Sequence, residues 1–281
     1  MISEQQREKA RIFRNMHKEN NMFILPNAWN VGSAYVFEKQ GFKAVGTSSA
    51  GIAHDLGFPD GEYIPFDDLL WVVKKIASRI DIPLSVDFER GYSDVNGELK
   101  ENARKLLFAG VVGFNIEDGL PNGELYPLDK QIEKIKSLAE LKSELNIDFV
   151  INARTDVYPL DGTDEKSMEI ALERCKAFVE AGADCVFIIG AKDDIAISKL
   201  VKGINAPVNI FWRPDLGSFE HLNQIGVRRL SIGCHPVRYI YSQVIELASD
   251  LHSGNMSRLM NHDFSSGKAK ACFEKQGHLH A

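Results

Sequence analysis

The sequence has no apolar run approaching the roughly 18 residues that cross a bilayer. Its N-terminal stretch, MISEQQREKARIFRNMHKENN, is polar and helix-like, without the apolar segment of a signal peptide. The four cysteines (Cys175, Cys185, Cys234, Cys272) are scattered, with no C-x-x-C spacing. Disulfides and a zinc site are therefore not expected, and reduced thiols point to a cytoplasmic setting. There is no excess of basic charge either: 33 Lys and Arg face 39 Asp and Glu, a net −6. That balance gives no footprint for nucleic acid or an anionic membrane. No G-x-G-x-x-G turn follows the first apolar run, which leads into LPNAWN. The segment GAKDD (190–194) has neither the glycine spacing nor the Ser/Thr of a P-loop.

What the sequence does have is a rhythm. Short β-branched runs recur at FILP (23–26), KAVGTSS (43–49), IPLSVDFE (82–89), VVGFNIED (111–118) and DFVINARTD (148–156). CVFIIG (185–190), PVNIF (207–211) and RRLSIG (228–233) complete a set of eight. Amphipathic helical patterns lie between them, the last from Pro236 to His252, and Gly41, Gly110, Gly182, Gly203 and Gly226 are placed as left-handed caps. Eight such units in 281 residues predict a (β/α)8 TIM barrel, in preference to an open doubly wound sheet. We expect one domain over 1–281, with an N-terminal helix over 1–20 and a C-terminal extension over 253–281.

Barrel chemistry sits at the C-terminal ends of the strands, and there the acids gather. IPLSVDFERGYSD places Asp87 and Glu89 on one side of a strand end, with Phe88 on the other. The next run ends in Glu117 and Asp118, and the one after carries Asn152, Arg154 and Asp156. Neighbouring carboxylates repel unless a cation lies between them. Hard oxygen ligands without histidine or cysteine suit Mg²⁺ or Mn²⁺. The alternative is structural ion pairing of these acids with Arg90, Arg104 and Arg154. Acid clusters on three successive strand ends favour the metal.

VDFERGY, GFNIEDG, INARTD and FVEAGAD, in this order, together with TSSAGIAHDLGFPDG (47–61), resemble the isocitrate lyase and phosphoenolpyruvate mutase superfamily over roughly residues 20–250. The resemblance implies a (β/α)8 barrel, usually tetrameric, with the last helix exchanged between subunits. It implies that Asp87 is the direct Mg²⁺ ligand and that Glu89, Glu117 and Asp60 hold the metal's waters. Ser48, Ser49 and Ala50 match the loop that binds an α-keto carboxylate, with Ser49 where glycine is usual. Arg154 matches the arginine that contacts the substrate acid. Family lyases carry a K-K-C-G-H lid after the fourth strand, whose cysteine moves a proton. Here that place reads GLPNGELYPLD (119–129), so the resemblance is to members whose lid has no cysteine and which are phosphonomutase-like. In this lid Asn122 imitates a substrate-binding asparagine of the mutase branch, and Glu124 and Tyr126 are its readily proton-exchanging side chains. Arg154, Glu117 and Glu124 are thus the catalytic candidates.

The expected activity is Mg²⁺-dependent C–C cleavage or decarboxylation of a small α-keto acid or related dicarboxylate, through an enolate-like species. P–C chemistry of the mutase or phosphonopyruvate hydrolase type is the alternative, as is a silent α-keto-acid-binding paralogue. Outside this set, His235 in SIGCHP is read as structural, with backbone phosphate binding there left open. Phe211 and Trp212 are candidates for the pocket wall or the core, and GHLHA at the C-terminus is read as a frayed tail.

Overall fold

A computed structural model of the chain describes residues 1–158, 164–191 and 194–274. Eight parallel strand positions close on themselves. The first is split at Pro26, which has no N–H to give, into β1 (Phe23–Leu25) and β2 (Asn27–Ala28). Then follow β3 (Val45–Thr47), β4 (Leu84–Asp87), β5 (Gly113–Glu117), β6 (Val150–Thr155), β7 (Cys185–Ile188), β8 (Val208–Phe211) and β9 (Arg229–Ser231). β2 pairs with β3 while β1 pairs with β9, so the two halves of the broken strand complete the cylinder. The eight expected strands and the barrel are all present.

Alternation sorts the side chains. Val86, Phe114, Ile116, Ile151, Ala153, Val186, Ile188 and Ile210 are all buried in the apolar clusters of the core. Several of the intervening positions are polar. Asn115 accepts from Asn152 Nδ2 at 2.7 Å and from Arg229 Nη2 at 3.4 Å, and Ser231 donates to Asn209 at 3.1 Å. Arg229 is 1% exposed, and burial pulls its pKa down to about 10. Helix α1 (Glu4–Lys18) supplies Gln6, which donates to the carbonyls of Leu107 and Val111 at 2.6 and 2.9 Å. It also supplies Phe13, packed so close to Gly113 that a Cβ there would come within 2.8 Å of the ring.

The outer helices are α2 (Val31–Lys39), α3 (Ser49–Asp55), α4 (Phe66–Arg79), α5 (Asn96–Phe108), α6 (Leu128–Leu145), α7 (Glu165–Glu180), α8 (Asp194–Gly203), α9 (Phe219–Gln224) and α10 (His235–His252). Two expectations need correction. The KAVGTSS strand stops at Thr47, because Ser48 caps the Gly51 N–H at 3.1 Å and turns the chain into α3. Gly41, Gly110, Gly182 and Gly226 do take positive φ, but Gly203 stays inside α8. Its lack of a side chain serves packing, since a Cβ would sit 2.7 Å from Leu172 of α7.

Beyond α10 come α11 (Ser257–Met260) and α12 (Ser266–Phe273). α12 folds back on its own barrel: Phe273 stacks on Tyr35 of α2 at 6.2 Å, and its carbonyl accepts from Arg79 of α4. α10 buries only Val237, leaving Tyr239, Ile240, Val244 and Ile245 exposed. GHLHA lies outside the described residues. No helix among those described is long and apolar enough to cross a membrane.

Candidate active site

At the C-terminal rim of the strands lies a cavity of 220 Å³, whose lining includes Ser48, Ser49, Ala50, Asp60, Asp87 and Arg154. Larger hollows of 570 and 540 Å³ lie beside α1 and along α10, away from these acids. Asp87 ends β4. Its Oδ2 accepts from the Ser49 N–H at 3.2 Å and the Ser49 hydroxyl at 2.9 Å, while Oδ1 accepts from Asn115 at 3.2 Å. Asp60 accepts more weakly from the same hydroxyl at 3.4 Å. Burial, then Asp87, pushes the Asp60 carboxyl above its usual range.

Glu89 is not on the strand. The chain leaves β4 at Asp87, and Glu89 takes a left-handed φ of 51°. This bend keeps its carboxylate near Asp87, where strand alternation had predicted it by a different route. It is 3% exposed, accepts from Tyr92 Oη at 3.2 Å, and is pushed up to about 8 by burial and by Asp87, Glu62 and Asp60.

The ion-pair alternative holds for Glu117 and Asp156, which share Arg154, and fails for Asp87 and Glu89. Arg90 is taken by Glu62 at 2.6 Å, and Arg104 by Glu144 at 2.8 Å. Arg154 is gripped bidentately by Asp156 at 2.8 and 2.9 Å, and its Nη1 lies 2.6 Å from Glu117 Oε2. These two carboxylates raise the Arg154 pKa further and fix the guanidinium in the cavity wall as a permanent cation. Burial opposes ionisation of Glu117, and Arg154 favours it. Among the described residues Asp60, Asp87 and Glu89 form no ion pair, and only the more distant charges of Arg154 and Arg229 act against their mutual repulsion.

That unpaired set fits a hard cation, though not as a closed protein cage. Among the described residues no three of His, Cys, Asp and Glu gather closely enough to enclose an ion. One direct carboxylate with waters held by its neighbours is the coordination habit of Mg²⁺.

Three sequence expectations land elsewhere. The lid folds on itself through a Gly119–Leu125 bridge, with Asn122 Nδ2 donating to Glu124 Oε2 at 2.8 Å. Asn122 and Glu124 are exposed and do not line the cavity, because the tight turn makes each the other's partner. Asp118, at the lid's root, is fully buried and points away from chemistry. It accepts from Thr155 at 2.7 Å, the Asp156 N–H at 2.9 Å and Arg174 at 2.7 Å. Arg174, which also holds the Tyr126 carbonyl at 2.6 Å, sits on α7 and carried no signal in sequence. At SIGCHP two of the backbone N–H groups are already taken, since Asn27 Oδ1 accepts from Ile232 and Gly233 at 3.0 and 2.8 Å.

His235 packs against Phe211 and Trp212, each at 5.3 Å, and of these two aromatics only Phe211 lines the cavity. Cys234, Arg213 and Arg238 also line it and were not foreseen. The absence of cysteine therefore describes the lid, not the cavity.

The sequence model of the phosphoenolpyruvate phosphomutase family matches residues 13–252. An uncharacterized protein of Mycobacterium tuberculosis is 32% identical over 226 residues, 80% of this chain and 82% of that one. The 2-methylisocitrate lyase of Escherichia coli is 30% identical over 179 residues, 60% of this chain and 58% of the lyase. A Burkholderia cenocepacia crystal structure, provisionally assigned as a lyase/mutase, superposes with a TM-score of 0.89 at 28% identity, covering 98% of each chain.

Proposed function

The chain belongs to the phosphoenolpyruvate phosphomutase family, and from that premise we propose that it is a Mg²⁺-dependent enzyme of small α-keto acids. The reaction we assign is C–C cleavage or decarboxylation through an enolate-like species. One observation carries this reading: the Asp87 carboxylate is oriented by three hydrogen bonds on a cavity wall, beside acids with no cation partner among the described residues. Asp87 would hold Mg²⁺, or Mn²⁺, directly, with Asp60, Glu89 and Glu117 holding its waters. The ion would supply positive charge where negative charge develops on the keto oxygen.

The chain's own groups divide the remaining work. Arg154 binds the substrate carboxylate as a fixed cation, since Asp156 and Glu117 remove its freedom to rotate. In the Ser48–Ala50 loop, the Ser49 N–H and hydroxyl are occupied by Asp87 and the Ser48 hydroxyl oxygen by Gly51. Ser49 thus positions Asp87, leaving the Ser48 hydroxyl hydrogen and the Ala50 N–H for the keto acid. The lid offers no thiol and turns Glu124 to solvent, which favours bond breaking that needs no proton at the moment of cleavage. The exposed α10 face supports the homotetramer implied by the family resemblance, with residues beyond 253 contributing to it.

Turnover of oxaloacetate, substituted malates and phosphonopyruvate, with Mg²⁺ and with chelator, tests the proposal. Metal-dependent C–C turnover is expected. Turnover of phosphonopyruvate alone would move the chain to P–C chemistry, and binding without any turnover would make it a silent paralogue.

A further inference from the structure

We propose that Glu62 is a positioning residue for the cation site: its carboxylate fastens the loop that carries Asp60 to the turn that carries Glu89. Two acids from separate segments are thereby held in one arrangement. This rests on the metal reading above and adds a residue outside the set that would hold the ion or its waters.

Glu62 lies in the connection between α3 and α4, two residues after Asp60. Its Oε1 accepts the N–H groups of Arg90 and Tyr92 at 2.9 and 3.1 Å, and its Oε2 accepts from Arg90 Nη2 at 2.6 Å. The carboxylate is thus seated on the turn over residues 89–92 as an anion is seated on converging backbone N–H groups. The Glu62 and Arg90 side chains are 13% and 19% exposed, so water competes little for these bonds. Tyr92 carries the restraint onward, since its hydroxyl donates to Glu89 Oε1 at 3.2 Å. The Glu89 carbonyl in turn accepts from the Glu117 N–H at 2.9 Å, which joins the turn to the end of β5. Asp60 has less of its own: the contact from Ser49, at 3.4 Å, is longer than an ordinary O–H···O bond.

The backbone is held here against its preference. Among the described residues four non-glycine residues have a left-handed φ, and three of them meet in this contact: Glu62 at 61°, Glu89 at 51° and Tyr92 at 57°. The fourth, Asn146, closes α6 and is of a type that suits the conformation. Glutamate and tyrosine have no such preference, so they stay left-handed only where surrounding contacts impose it, and such residues gather at functional sites. The bonds of Glu62 to Arg90 and Tyr92 are contacts of that kind.

Mn²⁺ titration of the full chain, read by loss of the free ion's electron paramagnetic resonance signal, tests the role. Glu62→Ala should weaken Mn²⁺ binding by at least about tenfold, the scale of lost hydrogen bonds to a charged group. Glu62→Gln should fall between Ala and the wild type, because its amide oxygen can still accept both N–H groups. Arg90→Met removes the ion pair and leaves both N–H groups in place. It should lower the melting temperature in chelator, while Mn²⁺ affinity stays within about threefold of the wild type. Equal weakening by Gln and Ala would reduce Glu62 to a nearby negative charge. An Arg90→Met loss as large as that of Glu62→Ala, or wild-type affinity in a folded Glu62→Ala, would reduce it to a stabilising contact. Any of these results overturns the proposal. Failure of the metal reading would look different: the wild type would bind no Mn²⁺, or Asp87→Ala would bind it undiminished, and the positioning role would fall with it.

Discussion

Ser49 holds Asp87 twice, through its N–H at 3.2 Å and its hydroxyl at 2.9 Å, both on Oδ2. The contact ties the first turn of α3 to the end of β4, across 38 residues of chain. Oδ1 accepts instead from Asn115 at 3.2 Å, which fixes the plane of the carboxylate.

If Asp87 is the metal's direct carboxylate, Asp87→Ala should abolish Mg²⁺-dependent ligand binding while far-UV dichroism stays that of the wild type. Ser49→Ala keeps the N–H and loses the hydroxyl, so Mg²⁺ should bind only about fivefold more weakly, as one hydrogen bond of roughly 1 kcal/mol implies. Calorimetry reads both, and undiminished metal-dependent binding in Asp87→Ala would remove the metal assignment.

His17 is one group through which acid should lower stability. It is buried against Phe13 and Phe23, and burial, with Arg229 and Arg14 nearby, holds its pKa down to about 3. Its folded pKa lies below the unfolded value of about 6.5, so the unfolded chain binds the extra proton. Stability is complete above that value and falls as the pH drops from about 6.5 toward 3, by about 1.4 kcal/mol per unit. His17→Leu should flatten the dependence of urea midpoints on pH over this range; an unaltered slope would assign acid unfolding to other groups.

Arg174 closes the root of the lid. Arg174→Met would leave the buried Asp118 carboxylate without its cation, a loss of about 3–5 kcal/mol for such pairs. The melting temperature should fall by several degrees, and limited proteolysis should cut first within 119–126. A variant that melts with the wild type would show that Thr155 and the Asp156 N–H suffice for Asp118.

The exposed face of α10 leads to a test of assembly. Deleting residues 254–281 should lower the oligomeric state seen by light scattering, and Ile245→Asp, on a side chain 69% exposed in the single chain, should do so as well. A tetramer that survives both changes would exclude this face and helix exchange together.

The lid decides between reaction branches. Wild-type protein with Mg²⁺ should not cleave 2-methylisocitrate, and Glu124→Gln should retain most of any oxaloacetate decarboxylation. Glu124 is bonded to Asn122 and faces solvent, so its loss removes nothing from the cavity. Robust methylisocitrate cleavage would mean that a lid without a thiol can supply the acid.

The strands, their order and the acids at their ends were legible because the information is local. A period of two and a β-branched run place Asp87, Glu117 and Arg154 at strand ends whatever lies elsewhere in the chain. Capping chemistry is nearly as local: Gly110 and Gly182 close their helices as expected, while Gly203 was misread because the constraint on it is Leu172 of the neighbouring helix.

The charge pairings were not legible. Arg90 had three acids within reach in sequence, and the fold gives it to Glu62, 28 residues earlier. Arg174 meets Asp118 across 56 residues, and Asn27 meets Gly233 across 206. The sequence by itself determined the barrel and which residue types stand at its rim, since both follow from short-range periodicity. Only the closed tertiary structure decided which acids keep a cation and which stand without one. An ion pair depends on distances of a few ångströms between segments that meet only once the barrel has closed.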